Sequence, residues 1–269
     1  MSVCKSRCFA IFASLVLGSP AAVHALTLQS HYEFEGNTNN SVPGAPAGTL
    51  NGDAALTNID AAVGTGSLML DGAGDYLGTT ALGVPGSAQL YEGKISLHFK
   101  NTNSAQSLGN KQFYGNLNSN DSTAILFGTN GAGGLQMFIR SANNNVYQIR
   151  NAIGGNAFNI DTTYADGDWH QIEYEWAIDA SGGSGSIKVD GTALETQTVL
   201  NSLTTGSPIT PWEFDLPLGA RNNRGSIDHT WEGLIDDVRV YGIPEPAAVV
   251  LALFGAAAGL LVTRRRRTG

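Results

Sequence analysis

The sequence predicts an all-β domain, a two-sheet antiparallel jelly-roll sandwich, and three observations carry that prediction. Short runs alternate apolar and polar residues, as in Ile95-Ser96-Leu97-His98-Phe99, which sends every second side chain into a core. Gly, Asn and Asp punctuate the runs, and no 12-residue stretch outside the termini keeps a helical period. Composition agrees: 34 glycines in 269 residues and only 14% charged side chains disfavour a helical bundle. With 42% hydrophobic residues the chain has the material for a core, which argues against disorder.

The predicted strands follow in order. They are 31–35 (HYEFE), 67–70, 94–100 (KISLHFK), 124–127, 135–140, 146–150, 169–178, 186–189 and 234–241. Asn51-Gly52, Asp71-Gly72 and Asp190-Gly191 read as hairpin turns, because Gly tolerates positive φ. Ten or more strands in one unit of 218 residues, Leu26 to Ile243, suit a sandwich. No fixed-period repeat is visible, which disfavours a propeller.

Both ends read as targeting segments rather than fold. Residues 1–25 form a secretory signal: Lys5 and Arg7 lead, Phe9 to Gly18 is apolar, and Val23-His24-Ala25 offers a small-residue cleavage pattern. Both cysteines, Cys4 and Cys8, lie in this leader. Cleavage after Ala25 therefore leaves no disulfide, thiolate nucleophile or Cys-zinc site.

At the other end, Pro244-Glu245-Pro246 precedes 17 uncharged residues, Ala247 to Thr263, and then Arg264, Arg265, Arg266 and Arg267. As a transmembrane helix that run spans about 26 Å, and the arginines place the preceding domain outside the cytoplasm. This order of three features resembles the PEP-CTERM sorting signal of Gram-negative bacteria. The resemblance implies that the tail tethers a precursor transiently to the inner membrane. An exosortase-type enzyme would cut near Pro244, Glu245 and Pro246 and release the protein to the cell surface or the extracellular polysaccharide matrix. A plain membrane anchor is the simpler alternative.

Between the ends the charge is strongly acidic, with 9 Lys/Arg against 22 Asp/Glu, a net −13. That argues against nucleic acid as a partner, since phosphate binding needs a basic stripe.

Five segments, in order, resemble the laminin-G-like (concanavalin-A-like) jelly rolls. They are His31 to Asn37 (HYEFEGN), Gly48 to Gly52 (GTLNG), Leu70 to Leu77 (LDGAGDYL), Gly167 to Ile172 (GDWHQI), and Gly233 to Tyr241 (GLIDDVRVY). The resemblance implies a structural calcium where the first and last strands meet, with Glu35, Asn37, Asn40, Asp236 and Asp237 as the matching oxygen donors. It also implies a core position for Trp169 and turn-forming roles for Asp71 and Asp75.

The residues favour one functional reading, not an enzyme, over two alternatives. The first is a non-catalytic surface or matrix protein that binds polysaccharide or protein, with Trp212 and Trp231 as loop aromatics available to a sugar. The second is a glycan-active enzyme, a glycoside hydrolase or polysaccharide lyase, on the same fold. Glu33 with Glu35, and Glu173 with Glu175, have the i, i+2 spacing that places two carboxylates on one face. However, Glu173-Tyr174-Glu175-Trp176-Ala177 alternates as a strand whose glutamates face solvent. The third reading is a purely structural protein. His98, His170 and His229 show no metal or nucleophile spacing.

Overall fold

A computed structural model describes residues 26–79, 92–102, 109–117, 124–131, 133–140, 146–150, 164–179, 182–199 and 216–242. The leader 1–25, the tail from 244 onward and Trp212 lie outside the described residues.

Seventeen strands and no helix appear among the described residues. In chain order they are β1 Thr27–Tyr32, β2 Thr49–Asn51, β3 Ala55–Thr57, β4 Ser67–Asp71, β5 Tyr76–Thr79 and β6 Glu92–Lys100. Next come β7 Gln112–Leu117, β8 Ala124–Thr129, β9 Leu135–Arg140, β10 Val146–Arg150, β11 His170–Asp179 and β12 Gly182–Val189. The last are β13 Thr192–Val199, β14 Leu216–Leu218, β15 Arg221–Asn223, β16 Ser226–Asp228 and β17 Glu232–Gly242.

They form two sheets. The first runs β13-β12-β11-β6-β17-β4-β3, with β1 also paired to β17. The second runs β10-β9-β8-β7-β14-β5-β2, with β15 and β16 attached at β7. Pairing is antiparallel except where β15 meets β7. The two inner faces supply one core, as two packed sheets require. On β11, Ile172, Tyr174 and Trp176 face inward and are at most 2% exposed, as their alternation predicts. Phe127 packs its ring 5.2 Å from Tyr174 and 5.3 Å from Trp176, which ties the sheets together. A second aromatic group joins Phe99, Phe113 and Trp231, with centroids 4.6 to 5.7 Å apart.

Two of the three expected hairpins are something else. Asp190-Gly191 is a true two-residue hairpin between β12 and β13, with both residues at positive φ, 50° and 74°. Asn51-Gly52 and Asp71-Gly72 instead carry the chain from one sheet to the other. β2 pairs β5 and β3 pairs β4, so neither turn joins hydrogen-bonded neighbours. The turn chemistry is the same in all three cases; the pairing partner is a tertiary choice. The first strand also begins earlier than expected and stops at Tyr32, because Phe34 turns the chain with φ 54°.

Candidate functional site

β17 lies inside the first sheet, paired with β6, β4 and β1, and carries a β-bulge. Asp236 opposes His98 on β6, but Arg239 opposes Ser96, so three steps on β17 match two on its partner. Strict alternation would leave one residue between inward Ile235 and Val238; here Asp236 and Asp237 both fit, at 0% and 4% exposure. Asp237 takes φ 47° to make room.

The bulge gives the two acids different partners. Asp236 Oδ2 accepts the amide N–H groups of Ala62 and Val63, each at 2.9 Å, and Oδ1 accepts its neighbour's amide at 2.7 Å. Burial outweighs those three bonds and raises the Asp236 carboxyl to about 6. Asp237 Oδ1 lies 2.7 Å from His31 Nε2, 3.1 Å from Arg239 Nε and 3.0 Å from Arg239 Nη2. His98 Nδ1 stands 3.7 Å from Asp237 Oδ2. Burial holds the His98 imidazole below its ordinary value despite the attraction of Asp237.

The other expected calcium donors are engaged elsewhere. Glu35 Oε1 accepts the Thr65 amide and Oε2 the Thr65 hydroxyl, at 2.8 and 2.5 Å; the hydroxyl is the larger cause of a lowered Glu35 pKa. Asn40 Oδ1 accepts the amides of His31 and Val42, while Asn37 Oδ1 closes a local turn with the Asn39 amide. Glu35, Asn37, Asn40, Asp236 and Asp237 therefore do not fit one calcium ion. Glu35, Asn37, Asn40 and Asp236 spend side-chain oxygens on protein donors, and the guanidinium of Arg239 on Asp237 Oδ1 would repel a second cation there. Among the described residues the acids that do gather, within 4.8 Å, are Asp53, Asp71 and Asp75. Asp75 is 1% exposed and uses its two oxygens on the amides of Asp53 and Asp71, at 2.9 and 3.0 Å. Although burial works the other way, those bonds lower its pKa, whereas the Asp75 carboxylate beside it raises that of Asp53. That geometry gives Asp71 and Asp75 the turn-forming role expected of them.

Two expectations about tryptophan are corrected. Trp231 is fully buried, packed edge-on to Phe99 and against Phe113, so no sugar reaches it. Trp169 is not in the core: half-buried at the rim, it donates its indole N–H to Asp60 Oδ1 at 2.8 Å. Residue type alone does not say which indole a sheet edge leaves outside.

The outer face of the first sheet is polar, and its register sets side chains in rows. Lys94, Glu175 and Ser186 form one row across β6, β11 and β12; Ser96, Glu173 and Lys188 form the next. Cross-strand neighbours in such rows stand about 4.5–5.5 Å apart. Opposite charges offset each other here: Lys94 pairs with Glu173, Lys188 lies 3.5 Å from Glu175, and Arg239 covers Asp237. This settles the i, i+2 pair Glu173 and Glu175 on one outward face, each beside a lysine. At the end of the face, Glu92, Ala177 and Ser184 form a further row. Ala177 is too short to fill its place, and an open groove of about 210 Å³ results. Glu92, Glu175, Ser184 and Ser186 rim it, with Leu26 at one side. Below it the chain is dense: a Cβ on Gly93 would meet the Trp176 ring at 2.3 Å, so glycine is required there. Sequence reading reached Glu175 but not Glu92, Ser184 or Ser186, since their proximity depends on register between three strands.

These sheets and this face define a lectin-like sandwich. Residues 85–248 match the family described as the concanavalin A-like lectin/glucanases superfamily (Laminin_G_3), and the chain belongs to that family. No curated protein matches the sequence. Among solved structures, domain 4 of AbnA, a GH43 extracellular arabinanase from Geobacillus stearothermophilus solved with arabinotriose, superposes with TM-score 0.56. The two are 16% identical, over 81% of this chain and 93% of that one. The botulinum neurotoxin serotype G binding domain superposes with TM-score 0.52 and 16% identity over 86% of this chain. The Paraclostridial Mosquitocidal Protein 1 binding domain gives 0.51 and 11%, also over 86%. The chain spans about half the length of each of these two toxin structures, 51% and 52%. At these identities the likeness is one of fold.

Proposed function

We infer that this chain is an exported protein whose sandwich domain binds extracellular polysaccharide without cleaving it. The observation that carries the reading is the charge-compensated polar face of the first sheet, which offers many hydrogen-bonding groups and little net field. Such a face suits a ligand rich in hydroxyls. The arabinotriose held by the AbnA domain supports it as an instance of this fold meeting a sugar.

The non-catalytic part rests on the carboxylates. Retaining hydrolysis needs two carboxyl groups about 5 Å apart, one of them free to meet the leaving group; Glu173 and Glu175 are each engaged by a lysine instead. Export rests on the leader 1–25 and on the tail from Pro244-Glu245-Pro246 to Arg264–Arg267, which we assign to exosortase-type sorting toward the cell surface or matrix. Calcium has no step in this account, because the expected donors do not converge.

Affinity electrophoresis of the full chain in gels carrying neutral polysaccharides tests the reading. Retarded migration with no release of reducing ends is the expected result. Unretarded migration in every gel, or reducing ends released in proportion to protein, overturns it.

A further inference from the structure

We propose that the groove at the end of the first sheet, rimmed by Glu92, Glu175, Ser184 and Ser186, seats one unit of a neutral sugar chain and disfavours anionic glycans. The proposal rests on the glycan-binding reading and gives that reading an address and a ligand class.

Shape comes first. The depression follows from the register, with Ala177 flanked by Glu92 on β6 and Ser184 on β12. Its volume of about 210 Å³ is below the roughly 300–1,000 Å³ of pockets that enclose drug-sized molecules. It is open to solvent, so a single unit enters while the rest of a polymer runs outside. Rigidity comes from beneath, where the Trp176 ring fills the space beside Gly93.

Chemistry decides the class. The two carboxylates accept hydrogen bonds from sugar hydroxyls, and the two serine hydroxyls donate or accept. Lys188 answers Glu175 at 3.5 Å, whereas Glu92 has no cationic partner among the described residues. The groove therefore keeps a net negative field, which opposes a uronate or sulfated sugar. The aromatic residue of its lining among the described residues, Trp176, is 2% exposed and packed in the core, so recognition runs through hydroxyls rather than stacking.

The test is calorimetric titration of the full chain, in mild detergent, with neutral arabino-, xylo- and gluco-oligosaccharides and with oligogalacturonate. Three forms are compared: wild type, Ala177→Tyr and Glu92→Gln. Ala177 is exposed, so tyrosine there fills the groove without entering the core. Expected are binding of at least one neutral oligosaccharide, loss of more than tenfold in Ala177→Tyr, and about tenfold weakening in Glu92→Gln, as when a hydrogen bond to a charged group is lost. Unchanged affinity in Ala177→Tyr, with its melting temperature also unchanged, overturns the groove while leaving glycan binding standing. Tighter binding of oligogalacturonate overturns the ligand class. Binding of no glycan by wild type removes the underlying reading as well.

Discussion

His31 Nε2 and Asp237 Oδ1 lie 2.7 Å apart and join the first strand to the last across 206 residues of chain. The contact exists because the bulge in β17 turns Asp237 toward β1, where His31 opposes Arg239. An acid pair that alternation would split between two faces is thereby converted into two anchors. Asp236 holds the 62–63 segment and Asp237 holds β1 and Arg239.

Replacing Asp237 separates its two duties. Asp237→Asn keeps an acceptor and tolerates positive φ, so it is expected to cost about 1 kcal/mol. Asp237→Ala leaves Arg239 and His31 without that acceptor in a site 4% exposed, at about 2–3 kcal/mol. Urea denaturation of the two variants checks this order. Equal midpoints would show that the carboxylate anchors nothing.

Asp236 makes stability depend on pH in a defined window. Its carboxyl is raised from 3.8 to about 6 in the folded protein, so below 3.8 both states hold the proton. Between 3.8 and about 6 the unfolded chain releases it first, and the group's contribution falls as pH rises. Stability measured from pH 4 to 7 should lose that component in Asp236→Asn. Parallel curves for wild type and variant would contradict it.

His170 responds in the same sense at higher pH, but through paired charge rather than burial. Burial alone would lower its pKa, yet the carboxylates of Asp190, at 2.8 Å from Nδ1, and Asp166, at 3.1 Å from Nε2, raise it overall. A raised imidazole stabilises the fold below its unfolded value near 6.5, and the contribution fades as pH climbs through the folded value. An NMR titration should place His170 above 6.5 and bring it down in Asp190→Asn; no movement in that variant would argue against the pairing.

Calcium offers a further check on the strand junction. A specific ion at 100 times its Kd adds about 2.7 kcal/mol of stability. Because Glu35, Asn40 and Asp236 already hold protein donors and Arg239 pairs with Asp237, the shift in Tm between calcium and EDTA should be the same in wild type, Glu35→Gln and Asp237→Asn. A calcium-dependent rise abolished by either substitution would restore the junction as an ion site.

Alternation made β6 and β11 legible apart from their ends, β12 and β17 were read in part, and β9 and β10 match residue for residue, whereas β13, Thr192–Val199, was not read. β7 escaped notice because polar Gln112 and Asn116 are buried in it beside Phe113 and Tyr114, so its residue types show neither an apolar run nor a period of two. The three-residue strands β14, β15 and β16 are too short to carry a period at all. Of the site, Glu175 was visible on its own strand. Glu92 and Ser184, 92 residues apart in number, become neighbours of Ala177 only through pairing that no local pattern encodes. The bulge at Asp237 was equally hidden, since Asp236-Asp237 reads as an ordinary pair until a partner strand supplies the count.

The most direct test of glycan recognition by the outer face of the first sheet is hydrogen–deuterium exchange of the full chain with and without a retained neutral polysaccharide. Protection is expected in peptides covering Glu92–Lys100, Gln171–Asp179 and Ser184–Val189. Protection confined to the second sheet, or none at saturating polysaccharide, would contradict the account.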